Sequence, residues 1–152
     1  MTLPVATAAA AALTLTLAAC GGPPPPPPPT TATLSLTGAP GMNGGLPAKV
    51  KVYWLRAPAR FEGADFFALF GDAQEALGPD LIAVDEHLLA PGETLGSVRT
   101  FDRPAETPAV VGVVAGFRDV GQPGWSATAP LTPNAANPLA VTVSAAAVSF
   151  GD

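Results

Sequence analysis

The stretch Lys49-Val50-Lys51-Val52-Tyr53-Trp54 decides the architecture, because polar and apolar side chains alternate in it almost without a break. Successive side chains of an extended chain point to opposite faces, so Val50, Val52 and Trp54 share one face and Lys49, Lys51 and Tyr53 the other. That is a half-buried strand. Working outward, the same period appears upstream in Thr33-Leu34-Ser35-Leu36-Thr37, and downstream where Leu139, Val141, Val143 and Ala145 alternate with Ala140, Thr142 and Ser144. Residues 109 to 117 are apolar or glycine throughout, which predicts a central strand covered on both faces. Trp125, Ala127, Ala129 and Leu131 form a further strand, with Pro130 on its other face assigning it to an edge. Leu81 to Leu89 and Thr94 to Phe101 add two more strands, joined by Ala90-Pro91-Gly92-Glu93. Pro followed by Gly suits the centre of a type II turn.

One helical patch interrupts these strands. Phe66, Leu69 and Phe70 stand at i, i+3 and i+4, the spacing of an apolar stripe that packs on a sheet. Asp72 with Glu75 resembles a capping pair opening a second short turn, which Gly78-Pro79 closes. Glu62 and Asp65 complement a helix dipole at the mouth of the patch. Seven short strands with one such insertion predict a mainly all-β fold, a two-sheet β-sandwich with a short helical insertion.

The 152 residues include 19 Pro and 16 Gly, and only 12% are charged, against roughly 25% in average soluble domains. The formal net charge of −5 lacks the basic footprint that phosphate backbones require, so no nucleic-acid partner is expected. One cysteine rules out an intramolecular disulfide framework and any CxxC metal or redox motif.

The position of that cysteine is informative. Val5 to Leu17 is an uncharged apolar run of signal-peptide length, shorter than the roughly 20 residues of a membrane span. It ends in Leu17-Ala18-Ala19-Cys20, which resembles the lipobox of bacterial lipoproteins. Residues 1–19 are therefore expected to be a lipoprotein signal peptide, and Cys20 the acylated N-terminus. Gly21 in place of Asp after the cysteine points to the outer membrane. Acyl anchoring contributes about 0.8 kcal/mol per buried methylene, which tethers a domain without threading it through the bilayer. Pro23 to Pro29 then form an unbroken proline tract; at about 3.1 Å per residue it is a semi-rigid spacer of roughly 22 Å. The expected organisation is 1–19 signal peptide, 20–31 acylated Cys and Pro-rich spacer, and 32–152 β-sandwich domain.

Chemistry-bearing clusters are sparse. His87 is the single histidine, so no metal site is assigned. Asp85 and His87 share a strand face on what reads as a solvated edge, and an envelope hydrolase would need them to converge on Ser97 or Thr100. No nucleophile elbow or phosphate loop accompanies them, and no catalytic residue is assigned. An anchored module binding a small ligand or glycan would instead use exposed Tyr53, Trp54 or Trp125, although both tryptophans lie on apolar faces that favour core packing. The loop Gly38-Ala39-Pro40-Gly41-Met42-Asn43-Gly44-Gly45-Leu46-Pro47 is longer than a tight hairpin needs, and its Met42 and Leu46 have no evident core to serve. Loops on rigid scaffolds commonly carry binding, so Pro40, Met42, Asn43, Gly44, Gly45 and Leu46 form the candidate partner-contact loop.

Five blocks in order complete the pattern. They are Val50-Lys51-Val52-Tyr53-Trp54-Leu55, Ala64-Asp65-Phe66-Phe67-Ala68-Leu69-Phe70, Leu77-Gly78-Pro79-Asp80-Leu81, Pro91-Gly92-Glu93 and Val111-Gly112-Val113-Val114-Ala115-Gly116-Phe117-Arg118-Asp119. Following a lipobox and a spacer, they resemble the TssJ (SciN, VasD) lipoproteins of type VI secretion systems over about residues 33 to 150. The resemblance implies a transthyretin-like sandwich held in the inner leaflet of the outer membrane by acyl chains. It further implies that the domain faces the periplasm, carries no cofactor beyond the lipid on Cys20, and docks the periplasmic C-terminal region of the inner-membrane protein TssM. In that family the loop between the first two strands is implicated in the contact, which falls here on residues 38 to 48.

Overall fold

The computed structural model describes residues 21–151; the expected signal peptide and Cys20 lie outside them. The proline tract is exposed and carries no helix or strand, and β1 (Thr30–Gly38) begins directly after it. Thr30 is already buried and its hydroxyl accepts the Asn134 N–H at 2.8 Å, so the folded domain starts two residues ahead of the expected boundary.

Seven further strands follow: β2 (Ala48–Leu55), β3 (Leu81–Leu89), β4 (Thr94–Phe101), β5 (Val110–Ala115), β6 (Ser126–Pro130), β7 (Ala136–Val143) and β8 (Val148–Phe150). They form two four-stranded sheets, ordered β4-β1-β7-β8 and β3-β2-β5-β6. All neighbours are antiparallel except β1 and β7. The expected two-sheet sandwich is what the chain forms, with one more strand than the periodicity revealed. β8 escaped the reading because its three residues follow Ala145-Ala146-Ala147 and are too few to display a period.

Between the sheets Leu34, Leu36, Val50, Val52, Trp54, Val111, Val113 and Val141 pack into one core. Each such side chain contributes about 1.5–3 kcal/mol of transfer free energy. β5 lies inside its sheet and is buried on both faces from Val111 to Ala115, as its unbroken apolar run requires. β6 is an edge, with exposed Pro130 closing it.

The outer face of β2 departs from the half-exposed expectation. Three short helices, α1 (Ala59–Gly63), α2 (Phe66–Gly71) and α3 (Ala73–Leu77), lie over it and enclose a second core of Tyr53, Leu55, Phe61, Leu69, Leu77 and Val114. Tyr53 is fully buried and donates its hydroxyl to the Leu69 carbonyl at 2.8 Å. Gly112 belongs to this arrangement. A Cβ there would sit 2.6 Å from the Phe61 ring, so the glycine that interrupts the valines of β5 makes room for the aromatic. Asp65 Oδ1 caps α2 through the Ala68 N–H, and Asp72 Oδ1 caps α3 through the Glu75 N–H. Each cap contributes about 1 kcal/mol. Gly78, at φ 53, ends α3 in a conformation glycine adopts without strain.

The turn Ala90-Pro91-Gly92-Glu93 is of the expected kind, with Glu93 N–H donating to Ala90 at 3.1 Å and Gly92 at φ 77. It joins strands of different sheets. β3 and β4 are the edges of opposite sheets, and the turn arches across the open side of the sandwich, pinned to β1 by bonds of 2.8 Å from Gly92 N–H to Gly38 and from Gly38 N–H to Glu93.

Strand directions give the domain two distinct ends. The spacer, the segment 102–109 and the segment 131–135 lie at the Thr30 end. The loops 39–47, 90–93, 116–125 and 144–147 lie at the Gly38 end.

Candidate partner-docking site

The loop after β1 is built from its first residue. Gly38 is buried, and a Cβ on it would meet both the Ala90 carbonyl and Met42 Sδ at 2.5 Å, so only glycine lets Met42 fold back into the end of the sandwich. Met42 is 0% exposed and belongs to the inter-sheet core. This corrects the expectation that it serves no core. The long loop has the slack to return an apolar side chain to a space left open between the sheets, and Met is flexible enough to fill it.

Asn43 is the joint of the site. It is 7% exposed and takes a left-handed conformation at φ 48, which Asn tolerates better than most residues. Its main-chain N–H donates to the Ala145 carbonyl at 3.2 Å, its Oδ1 accepts the Arg118 N–H at 2.8 Å, and its Nδ2 donates to the Pro47 carbonyl at 3.0 Å. Three loops are thereby held by one residue. Gly44 and Gly45 continue at φ 66 and φ 82, so the tip is a preformed left-handed turn rather than a slack connection. Of the candidate contact residues, Pro40, Gly44, Gly45 and Leu46 face outward, Leu46 being 43% exposed; Met42 and Asn43 face inward.

Beside the tip a groove of about 280 Å³ opens between Asn43, Gly44, Phe117, Arg118, Asp119, Ala145 and Ala146. Residues 117–119 and 145–146 were not assigned to the site from sequence. They reach it only through the packing of distant loops, although Phe117-Arg118-Asp119 did stand out directly after the β5 run.

The other candidates resolve differently. Tyr53 and Trp54 are 0% and 2% exposed, which overturns a ligand platform built on them. Trp125 is half-buried, edge-on to Phe66 at 5.6 Å. Asp85 lies on the inner face rather than a solvated edge, its carboxylate committed to Trp54 Nε1 at 2.7 Å and to Arg99. His87 lies on that same inner face, with Nε2 buried and unpartnered. Ser97 faces inward with Arg99 while Thr100 faces out on the opposite side of β4. Among the described residues no group of three His, Cys, Asp or Glu side chains gathers as a metal ion would require. A larger groove of about 450 Å³ lies at the opposite end, between Pro27, Pro28, Pro29 and Phe101, Pro104 and Pro133.

Electrostatics on the outer sheet face are structural. Lys51 and Lys49 pair with Glu86 at 2.9 and 3.4 Å. The hydrogen bond and charge of Lys51, then those of Lys49, hold the Glu86 carboxyl below the ordinary range. Burial, with a smaller contribution from Glu86, pushes the Tyr53 hydroxyl well above its ordinary range.

The type VI secretion lipoprotein family (VasD, EvfM, TssJ) matches residues 30–146, from the first residue of β1 to the β7–β8 turn. The chain belongs to that family. No curated protein sequence matches it. Among solved structures, the T6SS lipoprotein TssJ1 from Pseudomonas aeruginosa is 33% identical, over 82% of this chain and 96% of that one, with a TM-score of 0.75. A chain of a type VI membrane complex is 26% identical over 81% and 98%, with a TM-score of 0.68. A chain in the structure described as the TssM C-terminal domain (869-1107) from EAEC shares the fold, at 24% identity over 81% and 98% and a TM-score of 0.65. As a type VI secretion lipoprotein the chain is a β-sandwich component of a secretion apparatus.

Proposed function

We propose that this lipoprotein is anchored by acyl chains on Cys20 in the inner leaflet of the outer membrane, faces the periplasm, and docks the periplasmic C-terminal region of TssM through the loop around Leu46. It does so without a catalytic step of its own. The observation that carries this reading is the separation of the two ends. The chain enters from the spacer at Thr30, and the loop with Pro40, Gly44, Gly45 and Leu46 lies beyond Gly38, at the far end of β1. Nine residues of strand span roughly 26 Å at about 3.3 Å per step, and the proline tract adds roughly 22 Å. An anchor at one end thus leaves the other end free to meet a partner across the periplasm.

The occurrence of this sandwich in a type VI membrane complex, and in a structure described for the TssM C-terminal domain, supports the choice of partner. The preformed left-handed tip supports the choice of loop, because a segment already ordered loses little entropy on binding.

The test is calorimetric titration of the chain with the periplasmic C-terminal region of its cognate TssM, alongside the double substitution Pro40→Asp and Leu46→Asp. Both positions are exposed, so the variant is expected to keep its thermal midpoint and lose binding. A folded wild-type chain that does not bind would overturn the reading.

A further inference from the structure

The groove beside the loop tip carries a cation that no carboxylate of the described residues pairs with. Of the seven Lys and Arg residues, Lys49, Lys51, Arg60, Arg99 and Arg103 each pair with a carboxylate. Among the described residues Arg56 and Arg118 form no such pair. Arg56 follows β2 at the spacer end, whereas Arg118 is exposed on the wall of the groove. Its neighbour Asp119 does not neutralise it by direct contact, since the Asp119 carboxylate turns into its own loop to accept Gly121 N–H at 3.0 Å and Gln122 Nε2 at 3.2 Å. The guanidinium is therefore free while its backbone is fixed, because the Arg118 N–H is held by buried Asn43.

We propose that this groove is a carboxylate-binding subsite of the docking surface, in which Arg118 pairs with an acidic side chain of the docked partner segment while Phe117, Ala145 and Ala146 support the apolar part of that segment. The identity of the partner rests on the docking reading above; the chemistry of the groove does not.

Two arguments select an acidic occupant. Guanidinium binds carboxylate through two parallel charge-assisted bonds, which fixes orientation as well as position. Arg118 is the one cation in the loops at this end, and the two carboxylates there are turned to other donors, Glu93 to the Ala90 N–H and Asp119 to its own loop, so a partner acid finds its favourable contact at this side chain, which gives register more than raw affinity.

Two measurements on the full chain in detergent test this. In the first, amide shifts of isotope-labelled chain are followed during titration with acetyl-Glu-Leu-Glu-Leu-amide and with its Gln counterpart. The Glu peptide is expected to shift the amides of Gly44, Arg118 and Ala146, the Gln peptide to leave them in place, and Arg118→Ala to abolish the response. Equal shifts from both peptides, or none, would overturn the proposal. In the second, affinity for the TssM region is measured for Arg118→Lys, Arg118→Ala and Arg118→Glu. Affinity should fall severalfold, about tenfold and about a hundredfold respectively, with a weaker salt dependence for the last two. Loss of TssM binding in Leu46→Asp but none in Arg118→Glu would sink the subsite and leave the docking reading intact. Absence of TssM binding together with a Glu-selective response at Arg118 would do the reverse.

Discussion

Trp54 donates its indole N–H to Asp85 Oδ2 at 2.7 Å, and Arg99, from the edge strand of the opposite sheet, occupies the other oxygen. One carboxylate thus ties both sheets together along their open side. Asp85→Ala leaves the buried indole N–H without an acceptor and is expected to cost about 2 kcal/mol. The loss comes mainly from Trp54, since the Arg99 side chain is 37% exposed and its share is screened by solvent. Urea unfolding followed by tryptophan fluorescence measures it. A loss under about 0.5 kcal/mol would mean that apolar packing alone closes this edge.

Met42 and Leu46 stand four residues apart and are expected to behave oppositely. Met42→Ala empties a fully buried site and should cost about 2–5 kcal/mol. Leu46→Ala alters an exposed side chain and should stay within about 0.5 kcal/mol. Thermal unfolding of the two variants separates the loop residue that builds the domain from the one that offers itself outward.

Gly112→Ala places a methyl group 2.6 to 2.9 Å from atoms of the Phe61 ring, and is expected to cost about 1–3 kcal/mol through overpacking. Phe61→Leu removes the obstructing ring edge. The double variant Gly112→Ala with Phe61→Leu should therefore be more stable than the sum of the single losses predicts, a coupling that a double-mutant cycle reads directly. Strict additivity would show that the close approach is not what requires glycine.

Glu86 sets a pH dependence with a definite sign. Its carboxyl titrates below the ordinary value of 4.5 because Lys51 and Lys49 favour the charged form. The stabilisation is thus fully present above about pH 4.5 and is lost as pH falls through the lower folded-state value. Glu86→Gln should flatten the acid side of the stability curve, so that its unfolding midpoint drops less than that of the wild type between about pH 5 and pH 3. Parallel curves would remove Glu86 from the acid response.

The sandwich was legible because its strands advertise themselves locally. Val50, Val52 and Trp54 on one face, and the apolar run through β5, need no tertiary knowledge to be read. What was lost was long-range. Tyr53 looked like an outward residue because nothing near it in sequence announces that α1 to α3 fold back over its face. Met42 looked spare because the space it fills is bounded by Gly38 and Leu89, and its fit depends on a Cβ that glycine lacks. The change of sheet at Pro91-Gly92 was also hidden, since a type II turn serves a hairpin and an arch equally well. The outward half of the loop was found from its length and its glycines, whereas the groove beside it required the 116–125 and 144–147 loops to be brought together in space.

β1 is hydrogen-bonded along its whole length on both sides, to β4 from Thr30 to Thr37 and to β7 from Thr31 to Gly38. A force applied between the spacer that enters at Thr30 and the loop that leaves at Gly38 therefore travels along this central strand, parallel to its axis. Loaded in that direction, the bonds of both ladders are sheared together instead of being unzipped one after another from an end. The domain has the geometry of a tether joint in which the strand under tension is the one most thoroughly gripped, so its first failure under load would have to be collective.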